Sequence, residues 1–210
     1  MAFPAHHQDC DIYCGPACVM MMLQHAGVPV NGLYQSTLMS SIAVCHSQLS
    51  TTGVEPVSFG DIASPPMALA LAASKELALS PRPNLSYEIY PPQSDPPPPT
   101  LTDDEVLLQI RSSLDDAAAP VFLLSQGGGH WILVCGRVGT GFRVRWPDNL
   151  GYAQGNQIPH QPGPCPLCKA LHSSQKKIMT ETGLLRIFPP VDRDVGNYKD
   201  QRLMLVPVLV

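Results

Sequence analysis

The sequence predicts an α+β fold in which helices come first and a mostly antiparallel sheet follows. Three observations carry that reading. The first part of the chain holds apolar stretches bounded by helix start and stop residues. After Pro120 the pattern changes to short runs rich in β-branched and aromatic residues, at Val121–Ser125, His130–Gly136 and Phe142–Trp146. Glycine-rich turns separate those runs, as expected of adjacent strands that reverse direction.

In chain order, residues 1–13 read as an irregular lead-in. Cys14 opens a segment that is apolar on nearly every side, which marks a buried helix. Pro16 suits its first turn, where a missing N–H does no harm, and Gly27 suits the position just past its end. Residues 31–46 read as a second helix and 47–63 as loop. Ser64 and Pro65 read as an N-cap and a first-turn proline, opening a third helix through about Leu79. The span 81–100 holds eight prolines and one short strand near Tyr87–Tyr90; its Pro96–Pro99 run reads as a stiff polyproline connector. Thr102 and Glu105 form a capping box before an apolar stripe of Val106, Leu107, Ile110, Leu114 and Ala117 at helical spacing. The three strands named above follow, and Arg202–Val210 reads as a terminal strand. Residues 149–180, polar and rich in Gly and Pro, carry no clear period. The whole, 1–210, reads as a single domain with a Pro-rich insertion at 81–100 and an irregular loop at 149–180.

Composition narrows the function classes. Hydrophobic residues make up 44% of the chain, enough for a true core, while charged residues are only 14% and the net charge is -4. That balance gives no electrostatic footprint for nucleic acid. No apolar run approaches the length of a membrane span, and the first residues lack the basic and apolar regions of a secretory signal. The expected location is the cytoplasm, or export without a classical signal peptide, with no membrane partner. Seven cysteines, odd in number and irregularly spaced, do not read as a disulfide framework.

The chemistry-bearing residues are Cys14, His130 and Asp148, with Gln8. A cysteine attacks as the thiolate, and a helix start favours the anion through its outward N–H groups and macrodipole. Cys14 stands at such a start, with Gly15 expected to leave room for a substrate. The second requirement is an imidazole nearby in space. His130 opens an apolar strand directly after Gly127–Gly129, which fixes its direction and leaves access. A third group should orient the imidazole. Asp148 ends the following strand, and a hairpin through Gly139–Gly141 brings it back toward the start of the His130 strand; Asn149 is the substitute. The Cys14 N–H and a side-chain amide, Gln8, would hold an oxyanion.

Gln8, Cys14-Gly15-Pro16-Ala17 opening a buried helix, His130 before an apolar strand and Asp148 one strand later resemble the papain-like cysteine peptidases. The nearest branch is the bacterial double-glycine (bacteriocin-processing) peptidases, in which Asp is the usual third member. The resemblance spans residues 8–27 and 120–149. It implies a papain-like fold and hydrolysis of peptide or isopeptide bonds in a protein or peptide substrate, without a cofactor. Gln8 would be the oxyanion-hole residue, Cys14 the nucleophile, His130 the base and acid, and Asp148 the orienter. This chain departs from the family pattern at Tyr13, which precedes the nucleophile, and at Pro147, which precedes rather than follows the third member.

Other uses of the same residues compete. A papain-like site can also run deamidation or acyl transfer, because the acyl-enzyme does not dictate its acceptor. His160, Cys165, Cys168 and His172 supply zinc-type ligands around a Cys-x2-Cys, and a non-catalytic binding module with a zinc loop is the alternative from another class. Their spacing matches no familiar finger, so the expected reading of that stretch is a surface loop without metal. Cys10 is the competing nucleophile but lacks a helix start, and Cys18 falls inside the helix.

Overall fold

The chain forms a six-stranded antiparallel sheet covered by helices on both faces. The computed structural model describes residues 13–30, 35–52, 64–94, 97–125, 130–147, 176–191 and 198–210. Helix α1 spans Cys14–His25, α2 Gln35–Thr51, α3 Pro66–Ala78, α4 Asp103–Asp116 and α5 Glu181–Ile187. The strands are β1 Leu85–Tyr90, β2 Val121–Ser125, β3 His130–Val138, β4 Gly141–Arg145, β5 Lys176–Met179 and β6 Met204–Leu209. Among the described residues, no helix is long and apolar enough to cross a membrane.

The helices form where capping and apolar spacing direct. Every residue of α1 from Cys14 to Leu23 is buried, as its all-round apolar character requires. It ends where Gly27 takes a φ of +88°, and the chain turns back so that Gly27 N–H and Val28 N–H bond the carbonyls of Gln24 and Leu23. Helix α2 buries Gln35, Leu38, Ile42 and Cys45 on one face. It continues past the expected end at 46, through residues expected as loop, and the Thr51 and Thr52 hydroxyls bond the carbonyls of Gln48 and Leu49 at its end. At α3 the expected cap is wrong: Pro65 holds the N-cap position with no side-chain bond, and Ser64 turns into the interior. In α4 both halves of the capping box are present, Thr102 to the Glu105 N–H and the Glu105 carboxylate to the Thr102 N–H.

The strand order is β1-β6-β2-β3-β4-β5, and every neighbouring pair is antiparallel. Strand β6 lies between β1 and β2, pairing with β1 from Leu85↔Leu209 to Tyr90↔Met204 and with β2 through Phe122↔Leu205 and Leu123↔Met204. The Pro-rich span therefore contributes a sheet strand of its own. Pro207 falls beyond the β2 pairing, where one edge of β6 has no ladder partner and a missing N–H costs least. Strand β3 turns into β4 between Val138 and Gly141, and Cys135 is an extra residue in β3 where the register shifts between Val134 and Gly136. Strand β5 and α5 went unread in the sequence; Thr180 links them and accepts the Gly183 N–H to cap α5.

Alternation along β2 and β3 divides the interior in two. Phe122, Leu124, Trp131 and Leu133 face α1, α2 and α3, together with Cys18, Met21, Leu23 and Leu69. Val121, Leu123, Ile132 and Val134 face α4 and α5, together with Val106, Ile110, Phe142 and Leu184. Buried on both faces, β2 and β3 read as continuous apolar runs, and that is why the sequence exposed them clearly.

Candidate active site

The site forms where the start of α1 meets the start of β3. The first intrahelical hydrogen bond of α1 runs from the Ala17 N–H to the Tyr13 carbonyl at 2.9 Å. The unpaired N–H groups of the first turn before it point along the axis out of the N-terminal end, so the helix presents its positive end around Cys14. Cys14 is a thiol, in no disulfide, and is largely buried, 7% exposed.

The sulfur of Cys14 accepts the backbone N–H of Trp131 at 3.5 Å, across 117 positions of sequence. One turn further along α1, the Cys18 thiol donates to the Trp131 carbonyl, also at 3.5 Å. A single residue of β3 is thus gripped by two sulfurs of α1. Covalent geometry keeps the Cα of His130, one peptide away, within roughly 6 Å of the Cys14 sulfur. Burial pushes the Cys18 thiol well up, and the neighbouring Cys14 adds to that. Cys18 is therefore a packing thiol and not a nucleophile.

His130 is 7% exposed and is fixed at its backbone. It pairs with Ser125 across the β2–β3 ladder, and the Ser125 hydroxyl donates to its carbonyl at 2.8 Å. Its ring stacks on Trp146, with centroids 5.3 Å apart and planes 27° from parallel. Trp146 follows directly on β4 and belongs to the core beneath α4, whereas Trp131 points to the α1 side. The Cys14 sulfur therefore meets β3 at its end, at the peptide that joins a residue of each face.

Gly15 does something other than expected. A Cβ there would lie 2.4 Å from the Ser64 Oγ and 2.6 Å from the Ser64 Cβ. The vacant volume is filled by Ser64, 1% exposed, and not left open to a substrate. The Ser64 carbonyl in turn accepts the indole N–H of Trp131 at 2.9 Å.

Of the residues the sequence singled out, Cys14 and His130 are brought to one place. Gln8, Asp148, Asn149 and Cys10, and the zinc-type set His160, Cys165, Cys168 and His172, lie outside the described residues. Among the described residues, no group of three or more His, Cys, Asp or Glu could hold a metal ion. Trp131, Trp146 and Ser64 were missed. Trp146 had a signal, since it sits in sequence two residues before the candidate Asp148. Ser64 had none, because its contacts join segments 49 and 67 positions away. Comparison with protein-family models, curated proteins and solved structures finds no match for this chain.

Proposed function

We propose that the chain is a papain-like cysteine peptidase, a thiol hydrolase that cleaves peptide or isopeptide bonds with Cys14 as nucleophile and His130 as base and acid. The observation that carries this reading is the hydrogen bond from the Trp131 N–H to the Cys14 sulfur. It sets a thiol at a helix start against the backbone N–H of the residue that follows His130. Helix N–H groups and the Trp131 N–H favour the thiolate, and an adjacent imidazolium favours it further.

In this reading the Cys14 thiolate attacks the carbonyl carbon and the carbonyl electron pair moves to oxygen. His130 then gives its proton to the departing amine, leaving a thioester on Cys14 and a neutral ring. Water attacks the thioester carbonyl while His130 takes its proton, and collapse releases the acid and returns the thiolate. Gln8 and the Cys14 N–H are the proposed oxyanion donors.

Asp148, which follows one strand after His130 in the sequence, is the proposed orienter of the imidazole.

The test is covalent capture. A peptide bearing a carbonyl electrophile should modify Cys14 in the native protein at about pH 6, where an unassisted thiol is almost wholly protonated. His130→Ala should lose that selective capture, and Asp148→Ala should weaken it. Equal modification of several cysteines, or full capture in the His130→Ala protein, would overturn the assignment.

A further inference from the structure

We propose that Ser64 is a positioning residue for the nucleophile and acts through Trp131. Its carbonyl holds the indole, and that hold aims the Trp131 peptide N–H at the Cys14 sulfur. The inference rests on the reading of Cys14 as the nucleophile and adds to it a residue that neither touches the sulfur nor belongs to the expected triad.

Four contacts close a ring between α1, β3 and the approach to α3. The Trp131 N–H reaches the Cys14 sulfur at 3.5 Å, and the Trp131 carbonyl takes the Cys18 thiol at 3.5 Å. The Trp131 indole N–H reaches the Ser64 carbonyl at 2.9 Å. The Ser64 side chain then fills the space a Cβ would occupy on Gly15, the residue after the nucleophile. All members are buried, so small displacements are not absorbed by solvent.

The Ser64 hydroxyl itself is buried without a hydrogen-bond partner among the described residues. A buried hydroxyl in that condition is unfavourable, and alanine would fill nearly the same volume without it. What the position requires is therefore the Cβ packed on Gly15 and the carbonyl aimed at the indole. The wedge against Gly15 fixes the carbonyl, the carbonyl fixes the indole, and the indole fixes the peptide at the start of β3.

The consequence is electrostatic. A hydrogen bond to the charged form of an acid lowers its pKa. An N–H aimed at the sulfur favours the thiolate; the same N–H turned aside does not. The ring thus controls how much of Cys14 is ionised and not merely whether the fold survives.

The test follows the rate of Cys14 alkylation by iodoacetamide against pH in the full chain. Trp131→Phe keeps an aromatic ring, of smaller volume, and removes the indole donor. It should move the curve to higher pH and slow labelling near pH 6 by about three- to tenfold, with the alkaline plateau unchanged within about twofold. Gly15→Ala drives a methyl into Ser64 and should give the same displacement, and adding Ser64→Gly makes room and should restore the original curve. A merely structural contact would lower stability and leave the pH profile in place. Should Trp131→Phe fail to fold, the Gly15→Ala and Gly15→Ala/Ser64→Gly pair decides alone. A curve unchanged in the folded variants, or no recovery in the double variant, overturns the role of Ser64 and leaves the nucleophile standing. Absence of selective Cys14 labelling in the unsubstituted protein would instead remove the nucleophile, and the positioning role with it.

Discussion

The indole of Trp146 lies against the imidazole of His130, ring centroids 5.3 Å apart and planes 27° from parallel. The stack covers one face of the ring and limits its rotation, and such aromatic pairs contribute about 0.5–1.5 kcal/mol beyond the area they bury. If His130 serves Cys14, Trp146→Ala should reduce the rate of electrophile capture by about two- to tenfold. Trp146→Phe, which keeps a ring in the stack, should retain most of it. A rate in Trp146→Ala equal to that of the parent would show that the stack has no part in the chemistry.

The thiols should react in an order set by burial. Burial pushes the Cys18 thiol well up and the Cys135 thiol up to about 11, the latter opposed by Arg145 and Arg143. Both therefore stay protonated at neutral pH, where the thiolate is the reactive form. Peptide mapping after brief iodoacetamide treatment at neutral pH should find Cys14 modified and Cys18 and Cys135 intact. Cys135 should label only as pH climbs toward about 11, and Cys18 only after denaturation. Modification of Cys18 in step with Cys14 in the folded protein would contradict this order.

Tyr87 should make the protein sensitive to alkali. Its hydroxyl donates to the Pro120 carbonyl at 2.8 Å, its ring meets Phe122 edge-on at 5.0 Å, and burial pushes its phenol far up. A group whose folded pKa is raised contributes stability that is complete below its unfolded value, about 10 for tyrosine, and lost as pH rises beyond it. Tyr87→Phe should cost about 1–3 kcal/mol at neutral pH by leaving the Pro120 carbonyl without its donor. Each kcal/mol corresponds to a Tm about 2–4 °C lower in a chain of this size. The variant should also show a shallower loss of Tm above about pH 10. An equal alkaline slope in both proteins would assign that sensitivity elsewhere.

Thr102→Ala tests α4 apart from the site. Removing a side-chain N-cap costs about 1 kcal/mol. The Thr102 backbone N–H, and then its hydroxyl, hold the Glu105 carboxyl below its usual range. A lowered carboxylate pKa contributes stability above its unfolded value, about 4.3, and that contribution fades as pH falls through the folded one. Thr102→Ala should thus lower the Tm by about 2–4 °C at neutral pH and lessen its decline in acid. Cys14 labelling should not change, because α4 packs on the opposite face of the sheet from α1. A slowed Cys14 in this variant would couple the two faces.

The elements that the sequence revealed are those whose neighbours do not matter. Helix α1 announces itself by continuous apolar character and Gly27, α4 by its capping box, and β2 and β3 by burial on both faces. What escaped depends on a partner. Strand β5 is four residues long and takes its identity from pairing with β4. Ser64 looked like a cap because serine before proline usually is one; its actual place is set by Gly15, which no local pattern encodes. The same holds at the site. Cys14 and His130 were legible as residue types in suitable local settings, whereas the Trp131 peptide between them is backbone and leaves no mark in a sequence.

Strand β6 sits between β1 and β2, which share no hydrogen bonds with each other. Among the described residues it is also the last element in chain order, while α1, which carries Cys14, is the first. On a ribosome, Cys14 emerges long before the strand that joins the two parts of the sheet. Until residues 204–209 arrive, β1 lies against α3 without a strand partner and β2 has an open edge. If Cys14 is the proposed nucleophile, it spends synthesis without its finished surroundings, which are complete only once the closing strand is in place.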